Sequence, residues 1–338
     1  MVIRVAINGF GRIGRCVFKI GLEDPEIEFV AINDLTDAAN LAYLLKYDTA
    51  YGKYQKNVDS KVNGKEQFLI VNGKKIPVLA EKDPEKLPWK KLNVDVVIES
   101  TGRFTEPEQA EIHRKAGAKK VLVSAPFKSK NGKYMLMGIN DSDYDKSNIV
   151  SNASCTTNAS APLIKVVHEN FKIKHGYLVT IHGYTQDQRL QDSPHERYRR
   201  GRAAAENIVP TSSGAEKAIL KAFPELDNKI EGLAMRVPVL TGSIVEFVAE
   251  VKNPTTVEEV NKTFKKAANT YLKGVLEYSE DELVSSDIKG NPHSSIFDSK
   301  LTKVIDKTLI KVSGWYDNEW GFSARMIDII KSISKKKQ

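Results

Sequence analysis

Val2-Ile3-Arg4-Val5-Ala6-Ile7-Asn8-Gly9-Phe10-Gly11-Arg12-Ile13-Gly14-Arg15 is the stretch on which the fold reading turns. Val2 to Ile7 is a short apolar strand. Gly9, Gly11 and Gly14 then form G-x-G-x-x-G, and Cys16-Val17-Phe18-Lys19-Ile20 continues at helical spacing. The spacing carries weight only in this context, directly after a strand and at the opening of a helix. The first glycine makes the tight turn, the second lets a pyrophosphate reach the backbone, and the third lets helix and strand pack closely. A second strand, residues 27–33, ends at Asp34. That acid lies roughly twenty residues past the last glycine, where such a unit needs a carboxylate for an adenosine ribose hydroxyl. The alternative is a tight βα turn with no ligand. Asp34 repels a 2′-phosphate and accepts from a free 2′-hydroxyl, so NAD is expected rather than NADP.

Working outward, residues 37–47 read as a helix and residues 67–79 as a hairpin about Asn72-Gly73. Residues 94–99 form a nearly continuous apolar run, as a buried parallel strand does, and end in the small residues Ser100-Thr101-Gly102. A helix over 107–116 and a strand over 120–124 follow. Strands alternating with helices predict an α/β fold: a Rossmann-type doubly wound parallel sheet with its ligand at the carboxyl edge. Past residue 155 the texture changes. Residues 177–181, 231–237, 243–251 and 308–312 are strand-like and several alternate with polar residues, which predicts an α+β region with a mainly antiparallel sheet. Residues 256–276 form an amphipathic helix with an acidic start and a basic end, and residues 320–334 a closing helix.

The 338 residues suit two domains. At 41% hydrophobic and 28% charged, the chain has the composition of a soluble globular protein. Cys16 and Cys155, the two cysteines, offer neither a disulfide framework nor a metal-ligand pattern, so no metal and a reducing, cytoplasmic setting are expected. The N-terminus runs straight into a strand without the layout of a signal peptide, and no apolar run is long enough for a membrane. The net charge of +8 comes from scattered lysines and a tail at Lys335, Lys336 and Lys337. Without aromatic–basic interleaving or helix-turn-helix spacing, nucleic acid is not expected as a primary partner.

Chemistry concentrates at Ser151-Asn152-Ala153-Ser154-Cys155-Thr156-Thr157-Asn158-Ala159. A strand-like run leads in and a helix-like run leads out, so Cys155 falls at or near a helix N-terminus. Unpaired N–H groups and the helix dipole favour an anion there, which predicts a lowered thiol pKa. A buried, inert cysteine with hydroxyls capping the helix is the competing reading. His182 ends a strand far away in sequence; a single cysteine and a distant histidine are a candidate nucleophile and base, although a lone histidine is often structural. A nucleophilic thiol beside a redox cofactor suggests covalent aldehyde oxidation. The thiolate adds to the aldehyde, a base takes the hydroxyl proton as hydride leaves, and a thioester remains for an acceptor. Anion sites are then expected. Arg199, Arg200 and Arg202 lie in a long polar loop, Arg236 closes a strand, and Ser213 and Gly214 precede a helix over 215–223. Surface ion pairing is the other use of such arginines.

Asn8 to Arg15, Ser154-Cys155-Thr156-Thr157-Asn158, Arg202-Ala203-Ala204-Ala205, Met235-Arg236-Val237-Pro238 and Trp315-Tyr316-Asp317-Asn318-Glu319-Trp320-Gly321 occur in that order over nearly the whole chain. Together they resemble phosphorylating glyceraldehyde-3-phosphate dehydrogenases. The resemblance implies oxidation of D-glyceraldehyde 3-phosphate to 1,3-bisphosphoglycerate, with NAD and inorganic phosphate. It implies Cys155 as nucleophile, His182 as base, Thr185 and Arg236 around the substrate phosphate, and Ser154, Thr156, Ser213 and Gly214 around inorganic phosphate, with Arg200 between. Gly9, Gly11, Arg12, Ile13, Gly14, Asp34, Lys82 and Ser124 would line the dinucleotide, with Asn318 on the nicotinamide amide. It further implies a homotetramer whose residues 1–154, completed by the helix 320–338, bind NAD, while residues 155–319 carry catalysis and a loop over 183–206 lies between subunits. Lys82 stands where many members have arginine, Ala159 replaces a second cysteine, Ser213 a threonine and Phe322 a tyrosine. Erythrose-4-phosphate dehydrogenases share the cofactor and thiol motifs. Thr185 and Thr211-Ser212-Ser213-Gly214 favour the triose enzyme.

Catalytic efficiency should therefore be higher with NAD than with NADP, and Asp34→Gly should narrow the gap. Paired kcat/KM measurements check this; comparable efficiency in the parent would defeat the charge-repulsion argument.

Overall fold

The computed structural model describes residues 2–127, 129 and 132–335, with 215–217 described by backbone alone. Lys336 and Lys337 of the basic tail, and the end of the 320–338 helix, lie outside the described residues. Two compact units are present. One comprises the chain up to Met135, Tyr144–Ala153 and the chain from Ser323 onward; the other comprises Leu136–Asp143 and Ser154–Phe322.

The first unit opens with β1 (Ile3–Asn8), α1 (Arg12–Gly21), β2 (Ile27–Asn33) and α2 (Ala38–Lys46). A short ribbon, β3 (Tyr47–Asp48) with β4 (Gly52–Lys53), precedes the meander β5 (Val58–Asn63), β6 (Glu66–Val71) and β7 (Lys74–Leu79). β8 (Val96–Glu99), α3 (Pro107–Lys115), β9 (Lys120–Val123) and β10 (Ile149–Ser151) complete it. The sheet runs β10-β9-β8-β1-β2-β7-β6-β5, parallel from β10 to β7 and antiparallel beyond. Chain order reverses between β1 and β8, the switch point at which doubly wound sheets take ligands. Both strands are buried on both faces, which explains their unbroken apolar runs. The hairpin turns where expected, because Asn72 (φ 48) and Gly73 (φ 79) both accept positive φ. β5 was not legible: its sequence, Val-Asp-Ser-Lys-Val-Asn, is polar at an exposed sheet edge.

In the second unit α4 (Cys155–Phe171) is followed by β11 (Ile173–Gly183), β12 (Val209–Thr211), α5 (Ala215–Ala222), β13 (Ile230–Val237) and β14 (Ser243–Val251). Then come α6 (Val257–Asn269), β15 (Leu276–Ser279), β16 (Ser295–Asp298), β17 (Lys303–Ile305), β18 (Leu309–Tyr316) and α7 (Trp320–Ser334), which passes into the first unit. The sheet order is β12-β13-β11-β14-β18-β16-β15, with β17 on β18. It is mainly antiparallel, but β11 and β13 run parallel and place His182 directly beside Arg236. α6 stacks Phe264 on Phe297 with ring centroids 3.9 Å apart. In the first unit, α7 is held by Lys331, whose Nζ lies 2.8 Å from Asp24 and 2.9 Å from Glu26.

α6 starts at a full capping box, with the Thr256 hydroxyl accepting from Glu259 N and the Glu259 carboxylate from Thr256 N. It ends seven residues before the expected 276, since a chain turn at 270–275 leads into β15. Thr256→Ala should cost about 1 kcal/mol, read as a lower urea midpoint; an unchanged midpoint would show that the cap carries no stability.

Candidate active site

The glycine loop is a cradle built by backbone proximity. Gly9 has φ +93, and a Cβ there would fall 2.7 Å from Thr101 N; one at Gly14 would fall 2.3 Å from Gly9 O. Gly11 differs: it is the N-cap of α1, caps with no side chain, and has nothing within 4 Å of its Cβ position. The backbone at Gly11 therefore lies beside open space at the N-terminus of α1, which suits a pyrophosphate. Asp34 accepts from Phe10 N at 2.7 Å and so ties the loop to the end of β2. The Arg12 side chain leaves the loop for Asp48, 2.9 Å away, so Arg12 and Ile13 can serve a dinucleotide through their backbone. Ser124 is half-buried beyond β9, and Lys82 is exposed.

Cys155 is the first residue of α4. Ser154 is its N-cap, accepting from Thr157 N at 3.0 Å. The turn from β10 into α4 passes through Ala153 at φ 54, a left-handed conformation costly for alanine. Cys155 Sγ lies 3.3 Å from His182 Nε2. On the other side of the ring, Nδ1 lies 2.6 Å from Gly183 O. A carbonyl only accepts, so Nδ1 carries the hydrogen and Nε2 is left bare toward the sulfur. That is the tautomer a base requires.

The expected lowering of the thiol pKa needs correction. Cys155 is half-buried as a residue, but the protein packs densely around its sulfur and burial pushes the thiol up. Arg236 and the Thr156 N–H oppose that shift without reversing it. Burial likewise drives His182 down to about 3, with Arg236 and Arg200 adding repulsion. Each shift penalises one isolated charge. Proton transfer from sulfur to Nε2 creates both charges together, 3.3 Å apart.

Arg236 donates through Nη1 to Thr185 Oγ1 at 3.1 Å, while its buried Nε has no hydrogen-bond partner among the described residues. Arg200 is close enough to depress the Arg236 pKa further. Two guanidiniums and an orphaned buried donor mark an anion site. Arg200 is itself braced: it donates to Asp187, to Thr211 Oγ1 at 2.9 Å and to Ser212 O at 3.1 Å. Arg199 is exposed and Arg202 pairs with Asp192 at 2.7 Å, so neither joins this cluster. Ser213 is half-buried, and Gly214 (φ 70) caps α5 without a side-chain bond. The Asn318 Oδ1 accepts from Gly242 N at 3.1 Å and Ser243 Oγ at 2.9 Å. Its NH2 is therefore the end left to present.

Residues 3–107 match the glyceraldehyde 3-phosphate dehydrogenase NAD-binding domain and residues 154–318 the C-terminal domain of the same family. The chain belongs to the glyceraldehyde-3-phosphate dehydrogenase family. It is 52% identical over 338 residues to the glyceraldehyde-3-phosphate dehydrogenase of Geobacillus stearothermophilus, covering 99% of each chain. It is 51% identical over 338 residues to glyceraldehyde-3-phosphate dehydrogenase 1 of Bacillus subtilis, again 99% of each. Against glyceraldehyde-3-phosphate dehydrogenase 2 of Streptomyces avermitilis it is 52% identical over 332 residues, 97% of this chain and 98% of the other.

Sequence reasoning gave Tyr316 no role, yet its buried hydroxyl joins Thr156 Oγ1 (3.0 Å) to Thr180 Oγ1 (2.7 Å), and its ring meets His182 edge-on. The alternation of β18 places Tyr316 on the covered face, but nothing in the pattern tells a core tyrosine from one beside a nucleophile. The pair itself can be tested. Iodoacetamide should alkylate Cys155 at neutral pH in the parent. In His182→Asn the thiol must ionise alone against burial, so the pH midpoint of alkylation should move up and the neutral-pH rate should fall. An unmoved profile would mean that the histidine is not the proton acceptor.

Proposed function

We propose that Cys155, His182, Thr185, Arg236 and the phosphate-site residues carry out the family's reaction: NAD-dependent oxidation of glyceraldehyde 3-phosphate, with inorganic phosphate as acceptor. The observation that carries the residue roles is the Cys155–His182 pair in the reactive tautomer, next to a buried guanidinium with an orphaned Nε. Bound NAD supplies the hydride acceptor. The glycine cradle, Asp34, Lys82 and Ser124 are its contacts in the first unit, and the Asn318 NH2 suits a nicotinamide carbonyl.

The steps follow from the groups present. Cys155 passes its proton to His182 Nε2, and the sulfur bonds to the aldehyde carbon. His182 returns that proton to the new oxygen, giving the hemithioacetal. It takes the proton again as the C–H electron pair departs as hydride, and a thioester forms on Cys155. A phosphate oxygen then attacks the thioester carbon and its proton passes to water. The sulfur leaves and recovers the proton held by His182. Arg236 and Thr185 hold the phosphate already on the aldehyde. Ser154, Thr156, Ser213 and Gly214 N–H, with Arg200, gather the attacking phosphate.

Relatives at about half identity over their full length carry the triose-phosphate name, so the erythrose-4-phosphate alternative is not favoured. Among the described residues no helix is long and apolar enough to cross a membrane. The two free cysteines support a cytoplasmic setting. A homotetramer is supported by three large apolar side chains in or near the arginine-rich loop that are unusually bare in one chain: Leu190 (86% exposed), Tyr198 (89%) and Ile208 (69%).

The two anion sites should give different lesions. Arg236→Leu should raise KM for glyceraldehyde 3-phosphate far more than for unphosphorylated glyceraldehyde. Ser213→Ala should raise the phosphate needed for half-maximal rate by up to about tenfold, the loss of one hydrogen bond. Saturation curves for aldehyde and phosphate on each variant decide. Identical lesions would mean the sites are misassigned, and phosphate-independent turnover to 3-phosphoglycerate in the parent would make water the acceptor.

A further inference from the structure

Beneath the glycine loop lies a chain of buried polar side chains that the reaction does not use. Asn8, Asn33 and Glu99 end β1, β2 and β8 in register, Asn8 beside both of the others. Asn33 Nδ2 donates to Asn8 Oδ1 at 2.7 Å, and Asn8 Nδ2 donates to Glu99 Oε2 at 2.6 Å. His113 of α3 approaches the same oxygen through Nε2 at 2.9 Å. On the far side of that ring, Trp89 Nε1 donates to His113 Nδ1 at 3.1 Å. An indole N–H can only donate, so Nδ1 is bare and the imidazole is neutral, with its hydrogen on Nε2 facing Glu99. The other carboxylate oxygen, Oε1, accepts from Thr101 N at 2.8 Å and from the Thr101 hydroxyl. None of Asn8, Asn33, Trp89, Glu99 or His113 is more than 4% exposed.

Four donors thus fix both oxygens of one buried carboxylate, at the switch point of the sheet. What the carboxylate fixes is the turn 99–101, and the glycine loop rests on that turn. Ser100 Oγ donates to Gly9 O at 2.7 Å, and the Gly9 backbone approaches Thr101 N so closely that a Cβ would sit 2.7 Å away. At its other end the chain reaches Glu81, whose backbone N and O both bond the Asn33 amide, at 2.9 and 3.0 Å. One network therefore spans the ends of β8, β1 and β2 and the segment after β7.

We infer that Glu99 and His113 are positioning residues for the dinucleotide: they hold the 99–101 turn, and through it the Gly9–Gly11 loop, in the shape that receives the pyrophosphate. The inference rests on NAD occupying the glycine cradle. A neutral, donor-locked histidine is suited to this task, because its geometry requires one fixed tautomer and no charge. A buried network with every member satisfied also specifies a single arrangement of the strand ends, whereas a partly satisfied one leaves costly unpaired groups.

The test is the NAD dissociation constant of the full-length enzyme, titrated by fluorescence, for Glu99→Gln, His113→Leu and His113→Gln. Glu99→Gln turns an amide NH2 toward groups that donate, and His113→Leu removes a donor from the carboxylate. Each should weaken NAD binding about tenfold, the value of one buried hydrogen bond, and the effect should appear in KM for NAD rather than in kcat. His113→Gln keeps an N–H for Glu99 and should restore binding to within about twofold of the parent. Alkylation of Cys155 without cofactor, which reports the second unit, should not change. An unaltered NAD dissociation constant in Glu99→Gln and His113→Leu would overturn the inference, as would equal losses in His113→Gln and His113→Leu. If Glu99→Gln does not fold, the two His113 variants still decide. Failure of the parent itself to bind NAD would instead refute the cofactor assignment.

Discussion

The hydrogen bond from His182 Nδ1 to the Gly183 carbonyl, 2.6 Å long, is the constraint on which the catalytic arrangement depends. It joins neighbouring residues, yet it decides which ring nitrogen is free, and so whether the imidazole can take a proton from Cys155. Gly183 is confined in turn. A Cβ there would lie 2.8 Å from Val239 O, so no larger residue fits without moving backbone. Its N–H donates to Ser243 Oγ, and Ser243 donates to Asn318 Oδ1. The end of β11 thereby fixes the proposed base and also orients the amide proposed for the nicotinamide. Sheet register does the rest: parallel pairing of β11 with β13 sets Arg236 beside His182 without any loop having to place it.

That register has an electrostatic consequence. Burial opposes an isolated thiolate and an isolated imidazolium alike, and Arg236 favours the first while disfavouring the second. On the proposed assignment, a phosphate dianion bound at Arg236 would offset the guanidinium charge felt by His182. The imidazole would then become a stronger base with the substrate in place. The proposed site would thus link substrate binding to base strength through one arginine, and would give the orphaned Arg236 Nε a partner in the same event.

Much of this was legible in the sequence because it depends on local rules. A glycine spacing after a strand, an acid at the end of the next strand and a hydroxyl before a helical cysteine each have a short-range physical reason. The start of the closing helix at Trp320 was legible because apolar residues recur at helical spacing from there. Illegible features depend on distant partners. Arg12 is placed along the dinucleotide by the resemblance, but its side chain pairs with Asp48, 36 residues away in the chain. Ala153 holds a conformation that composition would assign to glycine. The thiol pKa moves the other way because the helix terminus is a local signal, whereas burial of the sulfur is set by the tertiary fold and shows in no short stretch of sequence. His113 and Trp89 carried no signal at all, since each is an ordinary residue until β1, β2 and β8 bring their ends together.

Hydroxyl direction separates the members of the proposed inorganic-phosphate site. Ser154 Oγ accepts from Thr157 N, so its own hydrogen remains to be given, either to Thr157 Oγ1 at 2.8 Å or to an anion. Thr156 is placed differently. Thr180 Oγ1 donates to Ile244 O, so it receives the Tyr316 hydrogen, and Tyr316 in turn receives that of Thr156. In this chain every hydrogen points away from the helix terminus. A phosphate can draw on the Thr156 hydroxyl only by breaking its bond to Tyr316, while Ser154 can keep its bond to Thr157 by accepting from that hydroxyl and giving its own hydrogen to the phosphate. Phosphate affinity should therefore depend less on Thr156 than its place beside Cys155 suggests. The Thr156–Tyr316–Thr180 chain serves chiefly to hold the first turn of α4 against β11, and so to keep sulfur and imidazole at their working distance.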